Sequence, residues 1–250
     1  ENSCDYRTCL ERVKQLEPVT YSPVETAEII DRLAWVYPHR VLVDIPAKLS
    51  VTEIKNHYQY FIQDHNASPA FVRWRELTRR PRFLQEKKGL SANEKGSAYH
   101  LVMRHLEVTQ ELSRENIEAQ IQSMVEKEVL TPAQGEAVDV VKIEHFFLSP
   151  LGQRMKKAEK LLREVNFTLA LPVVELYAEA LEYPEEKILV QGTIDCLWEE
   201  REGYVLVDYK TDLVTGETLE TFRNRYYIQM MMYGRAVEQI LKKPVQEKIL

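Results

Sequence analysis

The sequence predicts an α/β fold on an αβββαβ core, with a helical insertion between its first helix and first strand. Three observations lead there. Residues 188–212, ILVQGTIDCLWEEREGYVLVDYKTD, hold two β-branched and aromatic runs, Ile188–Glu199 and Tyr204–Thr211, around the polar corner Glu200-Arg201-Glu202-Gly203, which is a hairpin signal. A capped helix precedes this hairpin, opening at Ser91-Ala92-Asn93-Glu94. A long helix, Thr218–Lys242, follows it between Gly216 and Pro244 and leads into a strand-like run, Val245–Leu250.

The elements follow in order. Residues 1 to 46 read as an attached segment, in which Val24–Val36 has helical periodicity and stops before Tyr37-Pro38. Ser50-Val51-Thr52-Glu53 is a capping box that opens a helix to about Gln63. Residues 66–90 are loop-like, with Pro69 and Pro81 and a basic run of Arg73, Arg75, Arg79, Arg80, Arg82, Lys87 and Lys88 interleaved with Trp74 and Phe83. Guanidinium groups among aromatics suit phosphate contact and base stacking, so Arg79, Arg80 and Arg82 are candidate DNA-binding residues. A solvated loop or a docking patch is the plainer reading.

The helix opened by Ser91 runs to about Glu107 and holds Gly96, His100 and His105. Gly96 allows a close approach to the sheet, and His100 lies one turn on along the same face. Helices over about Arg114–Glu128, Pro132–Phe147 and Leu151–Lys160 form the insertion, about residues 113–160. Thr131-Pro132 and Ser149-Pro150 mark two of its helix starts. Leu161–Leu171 reads as the first strand and contains Glu164.

In a hairpin centred on 200–203, residues whose numbers sum to 403 face each other. Asp195 then lies opposite Asp208, Thr193 opposite Lys210, and Leu197 opposite Leu206. One face carries Asp195, Asp208 and Lys210, while Ile194, Cys196, Trp198, Val205, Val207 and Tyr209 form an apolar face suited to a core. Directly opposed carboxylates repel, so a positive charge belongs between them. Lys210 is one candidate and a divalent cation a better one, because hard cations take carboxylates together with phosphate oxygens and water. A solvated polar face with a Lys–Asp contact is the bland alternative.

Gly192-x-x-Asp195, Asp208-Tyr209-Lys210-Thr211 and Gln229-x-x-x-Tyr233, in that order, resemble the RecB-type nuclease motif of the PD-(D/E)XK superfamily. LVQGTIDC, VDYKTD, EKGSAYHLVMRHL and AKLSVTEIK further resemble the C-terminal nuclease domain of the AddA family, the helicase-nuclease subunits of bacterial AddAB (RexAB) complexes. The resemblance runs from about Trp35 to the end.

It implies the restriction-endonuclease-like αβββαβ core, with residues 1–46 connecting from a helicase region and 47–250 forming the nuclease domain. It implies a Mg²⁺- or Mn²⁺-dependent DNA exonuclease that works on a single strand from an unwound duplex end, in double-strand-end processing for recombinational repair. The metal ligands would be His100, Asp195, Asp208 and the backbone carbonyl of Tyr209. Lys210 would orient water or stabilise charge on the phosphate. Gln229 and Tyr233 would contact substrate or position the lysine, and Glu164 would lie near the metal. The partners would be the helicase portion of the same parent chain and an AddB-like subunit. By themselves these residues have plainer readings: a hydrogen-bonded His100, an ordinary ion pair for Glu164 with Arg163 or a lysine, and a core stripe of Tyr226, Gln229, Tyr233 and Val237. A catalytically silent DNA-binding or scaffolding domain of the same fold is the rival to the nuclease.

Composition sets bounds. The chain is 250 residues, 44% hydrophobic and 29% charged, with a net charge of −6, which reads as soluble and globular. Free-standing DNA-binding domains are usually basic, and carboxylates meant for a metal would account for part of the excess. No apolar run is long enough to span a membrane, and the N-terminus lacks a signal-peptide pattern. The missing initiator Met and the final strand-like run give the reading of a fragment. Three cysteines, with Cys4 and Cys9 outside a C-x-x-C spacing and Cys196 on the apolar face, support neither a disulfide framework nor a zinc or iron–sulfur site. The cytosol is the expected compartment. No G-x-x-x-x-G-K-[ST] occurs, so this chain is not expected to bind ATP by a P-loop; the resemblance implies that ATPase and helicase activity belong to the parent chain.

Overall fold

The sheet is organised around one 14-residue strand, β3 (Lys187–Glu200). A computed structural model of the chain describes residues 6–16, 23–63, 89–211 and 218–250. Along one edge of β3 runs the antiparallel strand β2 (Leu161–Pro172), paired from Leu161↔Trp198 to Pro172↔Lys187. Two short strands share the other edge. β1 (Lys48–Ser50) pairs in parallel with Leu189–Gln191, and β4 (Gly203–Val207) pairs antiparallel with Cys196–Glu200. β5 (Val245–Ile249) adds to β4 in parallel, which gives the order β1-β3-β4-β5 with β2 beside β3.

The hairpin register is the expected one. Cys196↔Val207, Leu197↔Leu206 and Trp198↔Val205 all pair, and Glu200↔Gly203 closes a turn of only Arg201 and Glu202. Gly203 is required there, because a Cβ at this position would lie 2.4 Å from the Pro244 carbonyl oxygen, which accepts the Tyr204 N–H at 2.8 Å. The strand expected to reach Thr211 stops at Val207. On the other edge of β4 the Asp208 N–H donates to the Ile249 carbonyl of β5 at 3.0 Å. The β3–β4 ladder does not reach Thr193 and Lys210; on the other edge of β3, Thr193 pairs with Asn166 on β2.

The chain divides into two compact units, Glu1–Ile45 and Pro46–Leu250. The first holds α1 (Tyr6–Lys14), α2 (Pro23–Ala34) and α3 (Arg40–Val43), and none of its described side chains is buried. Of these helices the sequence pattern marks only α2. In the second unit α4 (Val51–Gln63) follows β1 without a break, its start closed by reciprocal Ser50–Glu53 hydrogen bonds. α5 (Ala92–His105) opens on the Ser91–Glu94 capping box. The insertion consists of α6 (Arg114–Glu126), α7 (Pro132–Ala137), α8 (Val140–Leu148) and α9 (Pro150–Lys157). The single helix expected over Pro132–Phe147 is therefore two. Asp139 breaks it by capping α8 through Val141 N–H, while its own N–H donates to the Tyr99 hydroxyl. α10 (Leu219–Leu241) starts at the Thr218 cap and ends where Lys242 takes a left-handed φ of 58° before Pro244.

Both faces of the hairpin are buried. Cys196, Trp198, Val205 and Val207 join Ala98, Val102, Leu106, Ile117, Phe147 and Met155 in one core between sheet and insertion. The Trp198 indole N–H, fully buried, donates to Glu200 at 2.9 Å, as a buried indole requires. On the reverse face Leu197 and Leu206, directly opposed, are also fully buried. Among the described residues no helix is long and apolar enough to cross a membrane.

Candidate metal centre and active site

The site lies at a fork in the sheet. β1 leaves β3 at Gln191 and β4 joins it at Cys196, so residues 192–195 have no ladder partner on that edge among the described residues. Asp195 stands at this gap, 9% exposed. Its Oδ2 accepts the Tyr209 N–H at 2.8 Å, and its Oδ1 lies 3.2 Å from Nδ1 of His100. His100 arrives on α5, which comes close because Gly96 has no side chain; a Cβ there would be 3.0 Å from Oγ1 of Thr211.

Glu164, on β2, stands opposite Asp195 of β3. Its φ of 52° is left-handed in the middle of a strand, a conformation that costs a non-glycine residue about 1–2 kcal/mol. The β2–β3 ladder pairs Arg163↔Cys196 and Val165↔Ile194 but omits the step between them. His100, Glu164 and Asp195 each present a ligand atom, all within 4.8 Å of one another.

Asp208 is 2% exposed and adjoins this group. Its Oδ1 accepts from the Gln229 amide at 2.9 Å, and its Oδ2 is ion-paired with Lys210. Gln229 also donates to the Tyr233 hydroxyl at 3.1 Å. The Tyr233 ring packs edge-on against Phe167, with centroids 5.7 Å apart, over Gly192. Lys210 lies with its ammonium 4.6 Å from the centroid of the Tyr226 ring.

The electrostatics follow from this crowding. Burial pushes the Asp208 carboxyl up to about 6, opposed by Lys210 and reinforced by Asp195. The hydrogen bond to Asp195 holds His100 above its ordinary 6.5, although burial works the other way. Three acidic side chains and an imidazole thus converge beside the Lys210 ammonium. Such an oxygen-rich donor set with a single imidazole suits Mg²⁺ or Mn²⁺.

The model of the PD-(D/E)XK nuclease superfamily matches residues 65–249. The chain belongs to that superfamily. It is 43% identical over 244 residues to an ATP-dependent helicase/nuclease subunit of Acetivibrio thermocellus, covering 96% of this chain and 19% of that protein. The protein of the same name from Thermoanaerobacter sp. strain X514 is 42% identical over 242 residues, which is 96% of this chain and 20% of its own length. That from Desulforamulus reducens is 38% identical over 251 residues, spanning 100% of this chain and 20% of its own. The chain therefore spans about a fifth of the length of these relatives.

Against the superfamily pattern, the structure brings His100, Asp195, Asp208, Tyr209 and Lys210 to one place and puts Glu164 within the cluster. It divides the roles of the α10 stripe differently from the expectation. Gln229 holds Asp208, Tyr233 supports Gln229, and the residue at the lysine is Tyr226, one turn earlier. Its i, i+3 spacing from Gln229 marks the shared face but not the target, because the lysine's reach depends on where β4 ends. Arg79, Arg80 and Arg82 lie outside the described residues. Cys196 is buried, and burial pushes its thiol up to about 12.

Proposed function

We propose that the chain is a divalent-metal-dependent deoxyribonuclease domain, residues 47–250, joined by residues 1–46 to the helicase region of a longer protein. It acts as an exonuclease on the single strand delivered from an unwound duplex end, in the processing of double-strand breaks for recombinational repair. Its partners are the helicase portion of the parent chain and an AddB-like subunit, and the cytoplasm is its compartment. The observation that carries this reading is the convergence of His100, Glu164 and Asp195 beside the buried Asp208–Lys210 pair.

A phosphodiester resists hydrolysis because its negative charge repels nucleophiles. His100, Asp195 and Asp208, with the Tyr209 carbonyl and Glu164 alongside, would hold Mg²⁺ or Mn²⁺. Bound there, the cation would neutralise phosphate charge and make a water more acidic. The chain's own groups do the positioning. The Tyr209 N–H fixes the Asp195 carboxylate, and the Gln229 amide fixes Asp208. Lys210, ion-paired with Asp208, donates to the attacking water or to a phosphate oxygen, where charge grows in the transition state. Arg79, Arg80 and Arg82 are the candidates for further phosphate contact.

The test is cleavage of end-labelled single-stranded DNA with Mg²⁺, with Mn²⁺ and with EDTA. Degradation from an end in either metal and none in EDTA is expected. Metal-independent cleavage would remove the proposed chemistry, and DNA binding without any cleavage would favour the silent-domain reading.

A further inference from the structure

We propose that Arg163 is a positioning residue of the metal centre, which ties the end of α5, the helix that carries His100, to the strand step that carries Glu164; the proposal rests on the nuclease reading above. Nη1 of Arg163 donates to the Leu106 carbonyl at 2.6 Å and to the Met103 carbonyl at 3.1 Å. Met103 lies three residues past His100 on α5, and Leu106 is the cap that closes the helix. The last carbonyls of a helix lack intrahelical donors and carry partial negative charge, so a guanidinium is a favoured partner there. Met103 and Leu106 are buried, which places the contact inside the fold and not on a solvated helix end.

The backbone of Arg163 is fixed as well. It pairs with Cys196 in the β2–β3 ladder, and the ladder resumes at Val165↔Ile194 on the far side of Glu164. Arg163 is thus next to Glu164 on its own strand and paired with the neighbour of Asp195 on β3. Its side chain reaches α5 within one turn of His100. All three members of the cluster His100, Glu164 and Asp195 are linked through this one residue.

Neighbours along a regular strand point to opposite faces. Arg163 and Glu164 nevertheless both reach α5. Arg163 does so at the end of the helix, and Glu164 brings a carboxylate oxygen within 4.8 Å of a His100 ring nitrogen. The left-handed φ of 52° at Glu164 breaks the alternation. Such a backbone persists where its surroundings over-determine it, and here the Arg163 bonds to α5 hold one side of the step while the Val165 pairing holds the other. Without the Arg163 anchor, α5 is free to shift along the sheet and Glu164 to relax toward an ordinary strand conformation. His100 and Glu164 then no longer keep their spacing about Asp195.

The experiment measures Mn²⁺ affinity without DNA, from the paramagnetic resonance signal of the free ion. It compares wild type, Arg163→Met, Arg163→Lys, Glu164→Gln and the double variant Arg163→Met/Glu164→Gln. Groups that orient metal ligands from outside typically carry a 10- to 100-fold share of the affinity, so Arg163→Met is expected to weaken Mn²⁺ binding about tenfold. One nitrogen serves both carbonyls, so the ammonium of Arg163→Lys restores most of the affinity. In the Glu164→Gln background the further loss from Arg163→Met is smaller than in wild type, because groups that act through each other are not additive. If Arg163 only caps α5, Arg163→Met melts earlier in EDTA with a wild-type Mn²⁺ affinity, which refutes the proposal. An equal fold-loss in both backgrounds refutes it too. Should Arg163→Met fail to fold, Arg163→Gln, which keeps a donor without the charge, is judged by the same criteria. Wild-type Mn²⁺ binding and cleavage in Arg163→Met would overturn the role of Arg163 and leave the nuclease reading intact. A wild-type chain that binds no Mn²⁺ and cleaves no DNA would overturn both.

Discussion

Glu164 faces Asp195 at the one step of the β2–β3 ladder that is not paired, and it does so with a left-handed φ of 52°. The repulsion inferred from sequence for Asp195 and Asp208 thus has a second source across the other edge of β3. A non-glycine residue keeps such a backbone only where its surroundings demand it, and such places cluster at functional sites.

Glu164→Gln removes one of the crowded negative charges and keeps the side-chain shape. The metal-free protein is expected to gain about 1 kcal/mol, which for a chain of this size is about 2–4 °C in Tm. The stabilisation added by Mg²⁺ or Mn²⁺ should shrink. Thermal melting with and without metal reads both effects, and a variant with a wild-type metal response would place Glu164 outside the ligand set.

Stability should depend on pH in opposite directions with and without metal. Burial raises the Asp208 carboxyl to about 6 from an ordinary 3.8, and Asp195 holds His100 above 6.5. In both cases the folded state binds the proton more tightly than the unfolded chain. Their contribution is full below the unfolded pKa values and is lost as pH rises through the folded ones. In EDTA, Tm should therefore fall from about pH 4.5 to above pH 6.5 once other groups are matched by an Asp208→Asn control. With Mn²⁺ the trend reverses, because metal competes with these protons and binds better as they leave.

Gly192 is predicted to be intolerant of even one methyl group. A Cβ there would stand 2.7 Å from the Phe167 ring and 3.1 Å from that of Tyr233. Both rings are buried and packed edge-on. Gly192→Ala should cost about 1–3 kcal/mol by overpacking, read as a lower urea midpoint. It should also reduce cleavage, since Tyr233 supports Gln229 and Gln229 holds Asp208. Unchanged stability would mean that the rings can move apart freely.

Much of this architecture is written locally. The hairpin register holds from Cys196↔Val207 to Glu200↔Gly203, because alternation and a tight turn fix it within a dozen residues. The Ser50, Ser91, Thr131 and Ser149 helix starts are likewise local hydrogen-bond patterns. What is not legible depends on partners far along the chain. β4 ends at Val207, and the Asp208 N–H beside it bonds to Ile249 of β5, more than forty residues later. Glu164 looks like any strand residue, since its φ is set by the two strands together. Tyr226 reads as one more core residue until α4 brings Lys55, and the turn after β4 brings Lys210, to the same ring.

Metal-dependent cleavage is the central claim, and a Mg²⁺ titration of end-labelled single-stranded DNA cleavage tests it most directly. Wild type, Asp195→Asn, Asp208→Ala and Lys210→Ala are compared at equal protein. Asp195 is touched by His100 and the Tyr209 N–H and clusters with Glu164, while Lys210 pairs with Asp208. The account predicts that wild type cleaves only with added metal and that all three variants lose cleavage. The two Asp variants should also lose most of the metal-induced stabilisation, about 2.7 kcal/mol for wild type at a hundredfold excess over Kd, whereas Lys210→Ala keeps it. Full cleavage by Asp195→Asn or Asp208→Ala, or a wild-type protein indifferent to both Mg²⁺ and Mn²⁺, would contradict it.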